Sequence, residues 1–347
     1  MLDGLAYEDE IRALLRRRLG RADDERLPVT SLADYLRLPD VQAGYRGREA
    51  EIAVVYALGP QVEGDGGRDP NPLYGGQTLG TRTFVRAMQE ARDTERVRAV
   101  VVRIDSPGGL APAADAMRRA IELTAQAKPV IVSMGGVAAS GGYWMATAAD
   151  TIVADPLTLT GSIGVFSLFI NAAPFLQEKL GITTDVVRSS PFADMLSGLR
   201  ALTPAERRLL ERSTDSTYAT FLRRVAEGRH LTVEQVAHLA EGRVWTGIDA
   251  LRHGLVDVMG GLETAIDLAA ERAGLAPGSF RLRELPRPRT LIEELNAQLQ
   301  VRIASLWDQV GITSAERQLR NHLRLLHDLL ADHRIPQARL PFELSIR

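Results

Sequence analysis

The chain has 347 residues, of which 45% are hydrophobic and 25% are charged, proportions typical of a folded globular protein. The net charge of −2 excludes the strongly basic surface on which nucleic-acid binding depends. Cysteine is absent, which excludes disulfides, zinc–thiolate sites and thiol nucleophiles, and no apolar run approaches the roughly 18 residues that a membrane helix needs.

The N-terminal region is predicted to be an arm. Residues 5–19 have a helical pattern, with Ile11, Leu14, Leu15 and Leu19 on one face. We interpret the adjacent run Arg16–Arg18 as a solvated helix face, and contact with anionic lipid is the alternative. This stretch is charged throughout and lacks the apolar core of a signal peptide, and residues 20–48 are polar and broken, as in a linker.

Strands and helices alternate through the middle of the chain. We predict strands over 51–58, 97–105, 129–134 and 151–154, helices over 81–94, 111–127 and 138–149, and a loop over 59–80. This alternation favours an α/β fold with parallel strands. Because the strands are continuously hydrophobic, we expect helices to cover both faces of the sheet.

Two capping boxes mark later helices. The first, Thr203–Glu206, predicts a helix to about Glu227, and the second, Thr232–Gln235, predicts a helix that ends near Gly242. A last core helix is predicted over 262–273, followed by two amphipathic helices over 290–308 and 313–333. The domain prediction is therefore an arm and linker over 1–48, an α/β domain over 49–275 and a helical tail over 276–347.

Glycine-containing turns follow three of the buried strands. They are Ser106–Gly109, Gly135–Gly142 and Gly161–Gly164, and the second contains Ser140 at the start of a helix. A serine with neighbours that lack side chains can meet a peptide backbone closely, and the helix dipole favours its alkoxide. Free N–H groups at such turns can stabilise an oxyanion, although each turn alone is more often only a turn.

The motifs SPGG, MGGVAASGGYW, LTGSIGVF and EGRVWTGIDALRHGLVDVMGGLETAI occur in this order between Ser106 and Ile266. They resemble the signal peptide peptidase A family, also called protease IV, over roughly residues 50–270. The resemblance implies a Clp-protease/crotonase-like core and cleavage of peptides, including signal peptide remnants, by a serine–lysine dyad. It also implies ring-shaped oligomers and attachment to the bacterial cell envelope through segments or partners not present here.

The resemblance assigns the site residues. Ser140 is the nucleophile, and Gly109, with the N–H groups around Ser140 and Gly141, forms the oxyanion hole. Gly108, Gly161 and Ser162 complete the expected substrate-binding edge, where a peptide strand would pair with the protein. No cofactor and no metal ion is expected.

The general base is missing from its expected place. In short members of the family the lysine lies in a stretch similar to Ser189–Met195, where this chain has Ala193, and a methyl group cannot accept a proton. Long members have two repeats, with the lysine in the first and the serine in the second. Because Leu2–Leu5 weakly resembles Leu255–Val258, we interpret the chain as the second repeat, with the lysine supplied by a preceding repeat or another subunit.

Other bases and other functions remain as alternatives. The two lysines are Lys128, at the amino end of a strand, and Lys179, in an amphipathic stretch, and neither suits the role. A triad of Ser140 with His253 and Asp257 is conceivable, although the six histidines are more simply surface or capping residues: His230, His238, His253, His322, His327 and His333. The alternative functions are an inactive assembly or scaffolding subunit and a crotonase-like acyl-CoA enzyme.

Overall fold

Residues 8–22, 27, 50–68 and 76–287, with the backbone of Gln337–Arg339, are described by the computed structural model of this chain. The chain divides into two compact units, Met1–Arg48 and Glu49–Arg347. In the first unit, helix α1 spans Glu8–Arg18. The predicted tail helices over 290–308 and 313–333 lie outside the described residues.

The second unit contains the strands and the remaining helices. The strands are β1 (Ala50–Leu58), β2 (Gln61–Val62), β3 (Gly66–Arg68), β4 (Gln77–Gly80), β5 (Val97–Ser106), β6 (Gly108–Leu110), β7 (Val130–Ala139), β8 (Thr151–Ala154), β9 (Leu159–Gly161), β10 (Val244–Thr246), β11 (Val258–Met259), β12 (Phe280–Leu285) and β13 (Gln337–Arg339). The helices are α2 (Thr81–Asp93), α3 (Ala111–Ala125), α4 (Gly141–Ala146), α5 (Ala173–Leu180), α6 (Pro204–Arg229), α7 (Val233–Leu239), α8 (Gly247–Arg252) and α9 (Leu262–Arg272).

The main sheet is parallel in all but one of its pairings. Its strand order is β10-β9-β7-β5-β1-β12, with β8 beside β7 and β11 beside β8. Among the described strands of this sheet, only β9 and β10 pair antiparallel. Since β5, β7 and β9 run in the same direction, the turns that follow them meet at one edge of the sheet.

Both faces of the sheet are covered. Along β1, Ala53 and Val55 belong to the core beneath α2, α3 and α4, whereas Ile52 and Val54 belong to the core beneath α9. Every residue of such a strand packs against a helix or a neighbouring strand, which explains the continuously hydrophobic pattern. The predicted α/β fold with parallel strands is confirmed.

Residues 59–80 do not form the predicted simple loop. They contain β2, β3 and β4, which join β6 and β13 in a second sheet of order β13-β6-β2-β4-β3. These strands have two to four residues and few apolar side chains, so the sequence carries no periodic signal for them. They form because they pair with one another and with the SPGG turn.

The strand before Ser140 is longer, and the helix after it shorter, than predicted. Residues Ala138 and Ala139 complete β7 by pairing with β9, and α4 starts only at Gly141. Between Met134 and Ala138, β7 bulges against β5, and the carboxylate of Asp105 accepts the N–H of Val137 at 3.1 Å. Small residues suit a helix and a crowded strand equally, so only the tertiary pairing distinguishes them.

The segment over 280–285, assigned to the helical tail by the domain prediction, is strand β12 beside β1. Its sequence FRLREL alternates over its first half in the manner of an edge strand. The guanidinium of Arg283 binds the carboxylates of Glu51, at 3.1 Å, and Glu90, at 2.7 Å, which ties the strand to β1 and α2. This part of the tail therefore belongs to the main sheet.

Candidate active site

Ser140 occupies a sharp turn between β7 and α4, at the carboxyl edge of the sheet. Its backbone has φ 52° and ψ −115°, a conformation that residues with a side chain adopt only with strain. The next glycines permit the turn, since a Cβ at Gly142 would lie 2.8 Å from the carbonyl oxygen of Ser106. Strain of this kind is concentrated at functional sites, which makes Ser140 a candidate for chemistry.

The hydroxyl of Ser140 is buried and unpaired. Its Oγ has no hydrogen-bond partner within the described residues, an arrangement that costs about 1–3 kcal/mol. The N–H of Ser140 donates to the carbonyl oxygen of Gly161 at 2.8 Å. It is therefore already engaged, whereas the N–H of Gly141, in the first turn of α4, has no intrahelical acceptor.

Gly108 and Gly109 are the first two residues of β6, which lies next to this turn. Gly108 has φ 99°, and its N–H donates to Ser106 Oγ at 3.2 Å. Gly109 lies against β2 so closely that a Cβ there would overlap the carbonyl oxygen of Gln61. On its other side β6 pairs antiparallel with β13, with Gly109 opposite Ala338. This edge of β6 thus accepts an extended segment in antiparallel pairing.

Gly161 and Ser162 complete the group of predicted residues. Gly161 has φ 74° and pairs with Ala139, while Ser162 has φ 48° and donates its N–H to the carbonyl oxygen of Arg243 at 2.7 Å. Ser140 and Ser162 both have positive φ angles. The hydrogen bond from the N–H of Ser140 to the carbonyl oxygen of Gly161 joins Ser140 to the residue directly before Ser162. The structure brings Ser140, Gly141 and Gly161 directly together.

Gln61 is a residue of this region that the sequence analysis missed. It is 1% exposed, and its Nε2 donates to the carbonyl oxygen of Gly141 at 3.1 Å. It lies in a stretch of glycine, proline and charged residues, where no motif or periodicity distinguishes it. Its backbone contact with Gly109 and its side-chain contact with Gly141 connect two predicted parts of the site.

Neither lysine meets the hydroxyl of Ser140. Lys128 precedes β7, so the ten-residue strand, about 33 Å long, separates it from Ser140. Its Nζ donates to the carbonyl oxygens of Ala91, at 3.0 Å, and Thr94, at 2.6 Å, and burial lowers its pKa. Lys179 lies exposed in the last turn of α5. Lys128 is therefore a structural residue that caps the end of α2.

The conceivable triad with His253 and Asp257 does not assemble. The ring of His253 packs edge-on against Trp245, with centroids 4.4 Å apart. Asp257 is paired with the guanidinium of Arg229 and accepts the N–H of Ile152, at the amino end of β8, at 2.7 Å. His230 and His238 lie at the ends of α6 and α7, and His322, His327 and His333 are outside the described residues.

Ala193 lies exposed in an irregular segment after α5. The next residue, Asp194, is paired with Arg200 at 2.7 Å, and Arg200 also binds Glu206 at 2.5 Å. This contact with Arg200, together with the N–H of Thr203, lowers the pKa of Glu206 to about 2. The Arg200 guanidinium thus fastens the segment around Ala193 to the start of α6.

No group of three or more His, Cys, Asp or Glu residues in the described part of the chain could hold a metal ion. Among the same residues, no helix combines the length and the hydrophobicity needed to cross a membrane.

Comparison with known proteins identifies relatives of the chain. The profile of peptidase family S49 matches residues 122–276. The chain is 37% identical over 300 residues to the chloroplastic serine protease SPPA of Arabidopsis thaliana, covering 85% of this chain and 43% of the relative. It is 38% identical over 278 residues to protease 4 of Salmonella typhi, covering 79% and 42%. The chain thus spans about two fifths of the length of these two relatives.

A shorter relative is matched over most of its length. The relative named "Putative protease slr0021", from Synechocystis sp., is 36% identical over 246 residues, which cover 70% of this chain and 87% of the relative. One solved structure, a mutant of the 1510-N membrane-bound stomatin-specific protease, aligns with 69% of this chain and 99% of its own at 14% identity and a TM-score of 0.42. These sequence matches show that the chain belongs to peptidase family S49, the family of protease 4 and signal peptide peptidase A.

Proposed function

We propose that the chain is the nucleophile-bearing half of a serine endopeptidase that degrades signal peptides or other membrane-associated peptides. The observation that carries this proposal is the strained, buried and unpaired hydroxyl of Ser140, between the glycine turns of β6 and β9. A serine held in this way loses little freedom when it attacks a bound carbonyl group.

The proposed reaction is acyl transfer through Ser140. Its Oγ attacks the carbonyl carbon of the scissile peptide bond while its proton passes to a base, and the N–H groups of Gly109 and Gly141 stabilise the oxyanion. The base then gives this proton to the nitrogen of the scissile bond, and the intermediate collapses with cleavage of the C–N bond, which releases the amine and leaves an ester on Ser140. Water then hydrolyses the ester and regenerates the hydroxyl.

An extended peptide has a place to bind. The backbone of β6 pairs antiparallel with Gln337–Arg339, so the edge next to Gly109 is shaped for strand addition. Gly161 and Ser162 lie on the other side of Ser140, at the end of β9. We therefore propose that a substrate strand replaces β13 and passes between these two edges.

The base is proposed to come from a different repeat or subunit. Ser140 Oγ contacts neither described lysine, and Ala193 stands where short members have theirs. The segment from 166 to 192 leaves the site beside Gly161 and exposes large apolar side chains, including Phe175, Ile182 and Val187. Such a surface suits a partner that brings the lysine.

A non-catalytic assembly subunit is the second candidate. The observation that favours it is that Ser140 is fully buried while its Oγ meets no base within the described residues. No observation on the described residues favours an acyl-CoA enzyme.

Hydrolysis of a synthetic signal peptide tests the proposal. The chain is incubated with the peptide, alone and together with a lysine-bearing first repeat of an S49 peptidase, and the products are identified by mass spectrometry. We expect cleavage in the mixture, and none with Ser140→Ala or with a first repeat that lacks its lysine. Absence of cleavage in every mixture would overturn the peptidase proposal in favour of the assembly subunit.

A further inference from the structure

The backbone of Gln61 sets the position of the strand that carries Gly109. Gln61 pairs in parallel with Gly109 on one side and with Leu79 on the other. Because a Cβ at position 109 would overlap the Gln61 carbonyl oxygen, β6 lies as close to β2 as a peptide backbone allows. Any shift of Gln61 would therefore move Gly109 with it.

The side chain of Gln61 reaches the carbonyl group of Gly141, the residue that follows the nucleophile. Its Nε2 donates to Gly141 O at 3.1 Å and lies 3.0 Å from Met145 Sδ. The orientation of the amide is defined, because the reverse orientation would place Oε1 against the carbonyl oxygen of Gly141, and two acceptors repel. One residue thus contacts both the Gly109 strand and the Ser140 helix, which are far apart in sequence.

The other end of the same amide is unsatisfied. Gln61 Oε1 is buried and has no hydrogen-bond partner within the described residues. A hydrophobic side chain of equal length would fill this space without burying an unpaired oxygen. The amide is therefore a poor choice for stability alone, and the contact with Gly141 is the feature that a hydrophobic residue could not supply.

We propose that Gln61 is a positioning residue of the active site. Its backbone holds Gly109, and its carboxamide holds Gly141, so that the N–H groups of both glycines are directed at the same oxyanion. The inference rests on the proposed peptidase function. It adds to that function a residue outside all the family-like motifs, which fixes the spacing between the two halves of the oxyanion hole.

Two substitutions separate positioning from packing. Gln61→Met keeps the length and removes both the donor and the unpaired acceptor. We expect the melting temperature to stay within about 2 °C of that of the unmodified chain, while phosphonylation of Ser140 by a fluorophosphonate slows about tenfold to a hundredfold at saturating probe. The half-saturating probe concentration should be unchanged. A purely structural role predicts the opposite: a lower melting temperature with an unchanged saturating rate.

Gln61→Glu adds a pH signature. The ionised carboxylate would repel Gly141 O, but its protonated form can donate to that oxygen as the amide does. The ratio of its labelling rate to that of the unmodified chain should rise as the pH falls, whereas the ratio for Gln61→Met should stay constant. The matched control is Thr124→Val, which removes another buried hydrogen bond, 2.9 Å from Thr124 Oγ1 to Ala120 O, at the far end of α3. It should leave the labelling rate unchanged, because Thr124 lies at the end of α3 that is remote from Gly109 and Ser140.

Hydrogen–deuterium exchange makes the test independent of catalysis. Because Gln61→Met removes only the carboxamide, it should speed exchange in a peptide covering 138–146. A peptide covering 106–112, which pairs with the unchanged backbone at position 61, should keep its exchange rate. If the unmodified chain resists labelling under every condition, the proposed function fails. Hydrogen–deuterium exchange then remains as the test of whether Gln61 positions Gly141. Unchanged exchange over 138–146, or equal saturating rates for Gln61→Met and the unmodified chain, would overturn the inference.

Discussion

The two sides of the candidate site differ sharply in how far the chain completes them. Around Ser140, three strand ends and α4 meet with buried, glycine-rich contacts, and Ser140, Gly109 and Gly161 are each held by named backbone neighbours. After Val165 the chain leaves the core, and residues 181–192 are exposed throughout. The side around Ser140 is packed and buried, whereas the segment over 181–192 is a surface without a partner among the described residues.

Under the proposed function, this difference corresponds to a division of the catalytic groups between two polypeptides. The nucleophile and the oxyanion donors require accurate backbone geometry, which a packed sheet edge provides. A lysine base is one flexible side chain, and a second polypeptide can deliver it across an interface. We therefore expect changes on the packed side to affect reactivity most, and changes on the exposed side to act mainly through association.

On the packed side, we expect the largest loss of Ser140 reactivity from a substitution at Gly109. In Gly109→Ala the new methyl group overlaps the backbone of Gln61, so β6 must move away from Ser140. We expect phosphonylation of Ser140 to fall by about a hundredfold or more, as for the loss of an oxyanion donor. Gly136→Ala is the matched control, because its Cβ would meet only Asp105 Oδ1 at an ordinary 3.9 Å. Equal labelling of both variants would mean that Gly109 does not belong to the site.

On the exposed side, a lysine introduced at Ala193 should increase the labelling of Ser140. Ala193→Lys introduces a lysine at the position where the resemblance to short family members leads us to expect the base, and a general base contributes about 10²–10⁴-fold to such a reaction. Since the side chain is exposed rather than packed against Ser140, we expect a smaller gain, about tenfold, in labelling of the chain. Ala205→Lys, in the first turn of α6, is the control for an added charge. A similar gain in both variants would argue against a specific role for position 193.

The ion pairs of Arg200, which join the segment around Ala193 to the start of α6, depend on pH. Arg200 and the Thr203 N–H hold the pKa of Glu206 at about 2, below the value of about 4.3 for a free glutamate. Since the folded-state pKa is the lower one, the stabilisation is complete above about pH 4.3 and is lost as the pH falls toward about 2. Glu206→Gln should lower the melting temperature at pH 7 and flatten its decline between pH 5 and pH 2.5, roughly the window set by these values.

The control for this prediction is Glu227→Gln on the same helix, at an exposed position paired with Arg224. It should change neither the melting temperature nor its pH dependence noticeably. A decline as steep in Glu206→Gln as in the unmodified chain would show that Glu206 does not contribute to acid sensitivity.

The smallest effect on the isolated chain is expected at Val187. This side chain is 100% exposed, so Val187→Ser should change the free energy of unfolding by less than about 0.5 kcal/mol. The variant should nevertheless associate more weakly with the lysine-bearing repeat, as measured by sedimentation velocity. Leu157→Ser, 80% exposed on the turn before β9, is the control and should associate normally. Unchanged association for Val187→Ser would place the partner elsewhere.

The sequence predicted the parallel sheet, the turn at Ser140 and both capping boxes, because hydrophobic runs, glycine turns and caps are local signals. It could not predict the second sheet or the end of β7, since these depend on pairing between short segments distant in the chain. Gln61 was missed for the same reason. Its importance follows from two contacts that no local pattern records, one with Gly109 and one with Gly141.

The rate of Ser140 phosphonylation in the isolated chain, compared with the rate after addition of a lysine-bearing first repeat, shows whether the base comes from a second polypeptide. We expect slow labelling of the chain alone and labelling at least about tenfold faster in the mixture, with no increase from a first repeat that lacks its lysine. Rapid labelling of the isolated chain, unaffected by the repeat, would show instead that the base lies within this chain or its own oligomer. Slower labelling of Lys128→Met or Lys179→Met would then identify that base, and unchanged labelling of both would exclude the two lysines.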